Sequence, residues 1–448
     1  MPNLTSTPHV AIIGAGFTGL TAALELARKG LRVTILEADK GPGGMASCFR
    51  INGAVLEKFY HHLFLSDRHI LALIRELGIQ DTVLRRRTKS GIYIRDRVYG
   101  LCTPRELLRF SPLAIEDRLR LGFLTLRARM IRNWQPLEKM TAKEWLIRLG
   151  GKAAYEGVWA PLLRGKFGPY ADDIGAVWMW NKLKLRGGSR DKNGAENLIY
   201  IKGGFATVIR ALELATKQQG SRLLYKRTAA GVQVEQNKIV GITTNREKLT
   251  ADAVLSTLPL PFTADLIGPS ADPRYLASLR RINYLANICL VLQLNSSLSD
   301  IYWLNVTDPD FPFVGIIEHT NFDLPSSYGG RHIVYLSKYL PETDPLYTMA
   351  DEDILSLTLP LLQNMFSEFQ PANILGMDVW RARHTQPIVE KHYSRLIPDA
   401  KTPIEGLYLS SMAQIYPEDR GINYAVREGR RIAEMIHRDL QSERHTTQ

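Results

Sequence analysis

Cysteine is scarce: Cys48, Cys102 and Cys289 are the only three in 448 residues, with no CxxC pair and no Cys/His ligand spacing. That excludes a disulfide framework and a zinc site, suits a reducing compartment, and leads to the expectation of no metal. No apolar run reaches the roughly twenty residues that span a bilayer, and the first strand begins within about ten residues without a charged-then-apolar leader. The expected location is therefore cytoplasmic. Repeats and low-complexity tracts are also missing, and only 441–448 reads as a disordered polar tail. The net charge is +12, but no nucleic-acid-binding motif accompanies it, so nucleic acid is not an expected partner. What remains is a chain of ordinary composition, 45% hydrophobic and 23% charged, long enough for two domains and a large core.

His9-Val10-Ala11-Ile12-Ile13 reads as a buried strand and runs directly into Gly14-Ala15-Gly16-Phe17-Thr18-Gly19. Gly14 permits a tight turn, Gly16 lets main chain approach a pyrophosphate, and Gly19 lets the next helix lie close on the strand. The phosphates then face free amides of the first turn, around Phe17 and Thr18, at a positive helix end. Leu20, Ala23, Leu24 and Ala27 follow at core spacing, and Gly30 terminates the helix. Val33 to Leu36 forms a second strand that ends at Glu37, whose carboxylate can accept both ribose hydroxyls and would repel a 2′-phosphate. The pattern implies the ADP half of FAD or NAD. Gly41-Pro42-Gly43-Gly44-Met45 then brings backbone past a bulky group, which favours a flavin.

These residues resemble the FAD-dependent amine oxidase and protoporphyrinogen oxidase superfamily, in which a Gly-Gly segment follows the ribose acid and lies against the cofactor. Met45 stands where the family usually has arginine. The C-terminus offers the matching partner, a short strand over Gly406 to Ser411, then Pro417 to Gly421 and a helix with Ile422, Ala425, Val426, Ile432, Ala433 and Ile436 on one face. In the superfamily this strand rejoins the nucleotide sheet and the helix start points at the flavin, implying contacts near Met412, Arg420, Gly421 and Ile422. The fold implied is α/β, a Rossmann-like FAD-binding domain interleaved with a mixed α+β substrate domain. The expected segments are 1–90, 196–261 and 386–440 for the first, and 91–195 (helical) and 262–385 (sheet) for the second.

Within that frame, Ser66 is expected to cap a helix to Leu77, and Thr103-Pro104-Arg105-Glu106 and Thr141-Ala142-Lys143-Glu144 are capping-box patterns in a mostly helical stretch. A helix after Gly204, a hairpin over 229–244, a buried strand from Ala253, further strands near 288–294, 313–318 and 333–336 and a helix near 351–369 complete the reading.

Tyr60-His61-His62-Leu63-Phe64 should pass beside the flavin and is similar to the histidine segment of UDP-galactopyranose mutase. His62, then His61, is the candidate proton carrier or donor to a flavin carbonyl, with a hydrogen-bonded structural histidine as the alternative. Arg164 and Lys166 among aromatics, with Trp178, Trp180 and Tyr424, suit an anionic, partly apolar substrate, or equally a helical core with snorkelling cations. Amine oxidases usually carry a lysine on a substrate-domain strand, where Asn287 stands here, which disfavours a simple amine oxidase. Arginines from Arg105 to Arg132 alternate with apolar residues, a pattern that fits an anionic membrane face, a phosphate-bearing substrate or a solvated exterior. The function expected is FAD-dependent oxidation by hydride transfer from a small substrate, anionic or lipid-linked. A flavin-dependent sugar-nucleotide mutase and a non-catalytic FAD scaffold are the rivals.

Overall fold

In the computed structural model, which describes residues 7–100, 103–188 and 196–446, strand His9–Ile13 is buried at every position. An apolar strand of this kind needs cover on both faces, the habit of a parallel sheet. It is central in a five-stranded parallel sheet, in the order Arg222–Tyr225, Arg32–Glu37, His9–Ile13, Ala253–Ser256, Leu407–Leu409. Helix α1 (Phe17–Arg28) carries the chain to one neighbour, whereas the other neighbour arrives only after the chain has built two strands of a second sheet and a layer of helices. The chain thus diverges at the carboxyl end of the central strand, which opens a crevice there.

The second sheet has seven strands, in the order Ile374–Pro387, Tyr284–Leu294, His332–Leu340, Gly315–Glu318, Trp303–Val306, Ser90–Ile94, Arg97–Gly100. Tyr284–Leu294 is apolar along almost its whole length because both its faces are covered. Cys289 and Val291 pack with the core shared with the cofactor unit, while Ile288, Leu290 and Leu292 pack with the helix near the C-terminal third.

Helices fill the remainder. After α2 (Arg68–Glu76) come α3 (Pro104–Leu108), α4 (Ile115–Met130), α5 (Ala142–Gly150), α6 (Ala160–Phe167) and α7 (Ala176–Gly188), a layer over the edge of the seven-stranded sheet. Next are α8 (Phe205–Gln218), α9 (Asp351–Met365) and α10 (Ile422–Thr446). Helix α10 crosses α1 at Gly429, where a Cβ would stand 2.7 Å from the Thr18 carbonyl oxygen. The interleaved Rossmann-like and mixed units expected from the sequence are both present.

Two expectations are corrected. Asp67, not Ser66, occupies the N-cap of α2, its Oδ2 accepting from Phe64 N–H at 2.8 Å. Most of the expected polar tail is helix, since α10 runs to Thr446 with Glu443 accepting from Lys238 Nζ at 2.9 Å. Its last two residues, like Cys102, lie outside the described residues. Cys48 and Cys289 are free thiols, and among the described residues no cluster of His, Cys, Asp and Glu is placed to hold a metal ion and no helix is long and apolar enough to cross a membrane.

Candidate functional site

The crevice is built from main chain. Gly14 adopts φ +103°, and a Cβ at Gly19 would lie 2.0 Å from the Gly14 carbonyl oxygen, so the turn and the approach of α1 both require glycine. Gly16 is the N-cap of α1 with no side chain bonded there and no acid in the first turn, so the amides of Phe17 and Thr18 lack a side-chain acceptor, and Phe17 turns its ring into the core. Gly43 N–H donates to the Ala15 carbonyl at 2.9 Å, and a Cβ on Gly44 would meet Gly16 Cα at 3.3 Å. The two glycine segments thus form one lined cleft at a positive helix end, a cradle that fits a dinucleotide pyrophosphate. Glu37 closes it: Oε2 accepts from Ala15 N–H at 2.8 Å and Oε1 from Asp39 N–H at 2.9 Å, leaving lone pairs for ribose hydroxyls. Met45 packs on the neighbouring core.

Of the segments expected to flank a flavin, the His61 ring and Arg420 lie near each other. His61 is held by a 2.6 Å contact from Nδ1 to the Phe59 carbonyl. Burial, with a smaller contribution from nearby Arg420, pushes its pKa down to about 4, so at neutral pH it is an uncharged ring. His62 turns the other way, Nδ1 3.0 Å from Tyr302 Oη and its ring against Phe64, Tyr302 and Trp303. Met412 begins a short 3-10 turn after strand Leu407–Leu409. Gly421, immediately before Ile422 at the start of α10, has nothing within 4 Å of where a Cβ would be, an open approach for a ligand.

Next to Arg420 is a cluster that the sequence only half announced. Its centre is Tyr339, whose hydroxyl accepts from Arg420 Nη2 at 2.9 Å and from the Tyr60 hydroxyl, while Lys166 Nζ sits 4.2 Å from the ring centroid. Burial alone would raise this phenol, but Arg420 and Lys166 hold it down at about 8. Burial likewise lowers Lys166 to about 8. Lys182 pairs with Asp419, whose carboxyl stays well below its usual range despite burial, because Lys182, Arg420 and Lys166 surround it. Three cations therefore face one carboxylate. Gly165 makes this reach possible, since a Cβ there would lie 2.8 Å from Val314 Cγ1 and hold α6 off the sheet.

Of the other substrate candidates, only Trp178 lies at this cluster. Arg164 is on the exposed face of α6. Trp180 is buried in the helical layer, its Nε1 donating to the Ala128 carbonyl at 2.9 Å; Trp178 is the indole beside Lys166 and Lys182. Tyr424 lies under Arg427. Asn287 is a structural amide, donating to Ser337 Oγ and the Lys338 carbonyl, both at 3.0 Å. It pairs in register with Tyr339, whose ring lies beside the Lys166 amine.

A cavity of about 310 Å³ opens between α4, α6 and the seven-stranded sheet, lined among others by Gly91, Leu121, Leu126, Trp159, Leu162 and Asn305. Its polar end is Ser90 and Glu196, joined by a 3.0 Å hydrogen bond. The same two residues border a small space beside His62, Tyr302 and Trp303. Trp303 in turn meets Tyr60 edge-on at 4.9 Å, so an aromatic wall runs from the cavity to the Tyr339 cluster.

Comparison with known proteins agrees with this geometry. The model of the flavin containing amine oxidoreductase family matches residues 17–437. A protein of Mycobacterium tuberculosis described as a flavin-containing monoamine oxidase, AofH, is 27% identical over 286 residues, 60% of this chain and 61% of its own length. Among solved structures, a protein from Exiguobacterium sp. 255-15 described as a protoporphyrinogen oxidase superposes with TM-score 0.78 at 18% identity, over 97% of this chain and 99% of that one. Reduced UDP-galactopyranose mutase does so with 0.75 at 17%, over 97% and 94%. At those identities the two structures are alike in fold. With a glycine cleft, the Glu37 carboxylate and a family match over residues 17–437, the chain belongs to the flavin containing amine oxidoreductase family, and FAD is its cofactor.

Proposed function

We propose that the protein is an FAD-dependent oxidoreductase that takes hydride from a small amphipathic substrate, holding an anionic group of that substrate at Lys166, Arg420 and Tyr339 and its apolar part toward the cavity between α4, α6 and the seven-stranded sheet. The observation that carries this reading is the charge imbalance of the cluster: part-buried Lys166 and Arg420 and the more exposed Lys182 stand against buried Asp419 alone. Such an excess is costly unless an anion completes it. Gly14, Gly16, Gly19, Glu37, Gly43, Gly44 and Gly421 would hold FAD, which when bound supplies the electron sink. Lys166 and Arg420 orient the substrate. Tyr339, poised at about 8, gives up or takes a proton near neutral pH, when the Lys166 amine is still largely protonated. His62 borders the small space beside the polar end of the cavity, and neutral His61 is suited to donate through one ring nitrogen without adding charge. The site of action is cytoplasmic, at an anionic membrane surface from which a lipid-linked or otherwise apolar substrate is drawn.

Decanoate and decanol, which share a chain but not a charge, test the cluster. Decanoate is expected to perturb the flavin spectrum of the purified protein and decanol to do so far more weakly, with Lys166→Met raising the decanoate Kd at least about tenfold, the value of one charge-assisted contact. Equal binding of the two would overturn the anion assignment. Anaerobic bleaching of the flavin by substrate separates oxidation from the mutase and scaffold rivals; turnover that demands prior dithionite reduction and consumes no electrons would favour the mutase.

A further inference from the structure

Helix α4 is amphipathic in the wrong sense for a helix on a closed protein surface. Leu121, Leu124 and Ala128 face inward and are buried, yet Ile115, Leu119, Phe123, Leu126 and Met130 are each 54–64% exposed. At 3.6 residues per turn those five side chains fall in one outward stripe about 80° wide and roughly 24 Å long. Leu108 on α3 and Val98 on the neighbouring strand extend it, so seven of the twelve large apolar side chains exposed among the described residues lie in this one patch. Arginines stand on both flanks of the stripe, Arg120 and Arg127 along one edge and Arg118 and Arg129 along the other, and Arg105 and Arg109 project from α3. Over 103–132 seven arginines face three acids. Of those acids, Glu106 is engaged in capping α3 and Asp117 pairs with Arg120 at 3.3 Å.

We propose that this α3–α4 face docks the protein on an anionic lipid bilayer, with the stripe inserted at the level of the headgroups and the arginines on lipid phosphates. Apolar stripe, flanking cations and a separate buried face together describe a helix lying in an interface. A second copy of the chain is a poorer occupant, because two-fold pairing of this patch would set the same arginines against one another. Leu126 belongs both to the stripe and to the lining of the cavity, so the docked surface sits at the cavity's rim and an apolar substrate passes from bilayer to site without crossing water. That last step rests on the substrate reading above; the docking does not.

The test is flotation of the FAD-loaded protein with vesicles of phosphatidylcholine and phosphatidylglycerol at 7:3, against phosphatidylcholine alone. Binding to the anionic vesicles is expected, weakening as salt rises from 50 to 500 mM. The triple variant Leu119→Ser/Phe123→Ser/Met130→Ser and the double variant Arg120→Glu/Arg127→Glu should each lower the bound fraction at least tenfold. Leu214→Ser, an exposed leucine on α8, should leave it unchanged, and retention of the flavin spectrum shows that each variant is folded. In Phe123→Trp, bromine-labelled lipid should quench the new indole. No flotation of the unaltered protein overturns the proposal. So does equal binding to uncharged vesicles, or a lipid-free dimer that the triple variant converts to monomer. Flotation is read without turnover, so its failure leaves the proposed oxidation standing, and failed bleaching leaves the docking standing.

Discussion

Single atoms decide whether the cofactor cleft exists. With a Cβ at Gly19 only 2.0 Å from the Gly14 carbonyl oxygen, Gly19→Ala must push α1 off the central strand, an overpacking change of the kind that costs ~1–3 kcal/mol, and in doing so it spoils the amide cradle. The purified variant is expected to be colourless and to take up FAD poorly in calorimetry, whereas Gly41→Ala, where the added Cβ meets nothing within 4 Å, should remain yellow. Asp67 offers a pH test. Burial raises its carboxyl from 3.8 to about 6 although the Phe64 amide and Lys182 oppose the shift. The folded protein therefore takes up this proton before the unfolded chain does, and stability falls as pH rises from about 4 to 6. Asp67→Asn, whose amide oxygen still accepts from Phe64 N–H, should be more stable than the unaltered protein at pH 7.5, by at most ~3 kcal/mol, and equal to it below pH 4; urea titrations at the two pH values would read this. The turn glycines were legible because Gly14 and Gly19 answer local demands of the backbone. Tyr339 was not, because its meaning comes from Arg420, Tyr60 and Lys166, which the fold gathers from three separate stretches of chain.

Elements were legible where their signals are local. Both Thr-x-x-Glu patterns are true capping boxes: Thr103 Oγ1 accepts from Glu106 N–H at 3.2 Å and Thr141 Oγ1 from Glu144 N–H at 3.1 Å, with each glutamate returning to the threonine amide. Thr141→Ala should destabilise the protein by ~1 kcal/mol and Thr141→Ser by much less, measurable as a shift in the denaturation midpoint. The strands between Val83 and Gly100 escaped notice for the opposite reason. Val83–Thr88, despite Arg85, Arg86 and Arg87 in succession, is held as a strand by pairing with Glu196–Ile201, a partner whose place no local pattern specifies. Trp180 was misplaced for a similar reason: its spacing from the cations is visible in the sequence, while the Ala128 carbonyl that claims its indole N–H belongs to another helix. The arginine-rich helix needed the fold as well, since only burial shows which face of α4 is left outward.

At the scale of the whole molecule, the two units are joined by a buried carboxylate at the end of strand Ala54–Glu57. Glu57 Oε2 accepts from Tyr200 Oη at 2.7 Å and Oε1 from Phe205 N–H at 2.5 Å at the start of α8, while its carbonyl accepts from Tyr335 Oη at 2.7 Å on the seven-stranded sheet. Tyr200 and Tyr335 are fully buried, and a Cβ at Gly204 would stand 2.7 Å from Glu57 Oε1, so no water-filled space remains to take over these bonds. Burial raises the Glu57 carboxyl, against the opposing pull of the Tyr200 and Phe205 hydrogen bonds. The charged form is therefore the costly one, and stability falls as pH rises above the ordinary carboxylate range. Glu57→Gln keeps an acceptor for Phe205 N–H, and Tyr200 can turn its hydroxyl to accept from the new amide, so its stability should lie within ~1 kcal/mol of the unaltered protein and lose that pH dependence. Glu57→Ala strands a buried phenol and a buried amide together and opens a cavity, for an expected loss of ~3 kcal/mol or more. If the junction couples the units, the Ala variant should also release FAD during denaturation at the same urea concentration at which the seven-stranded sheet unfolds, and flavin fluorescence followed alongside circular dichroism would show whether the two transitions coincide.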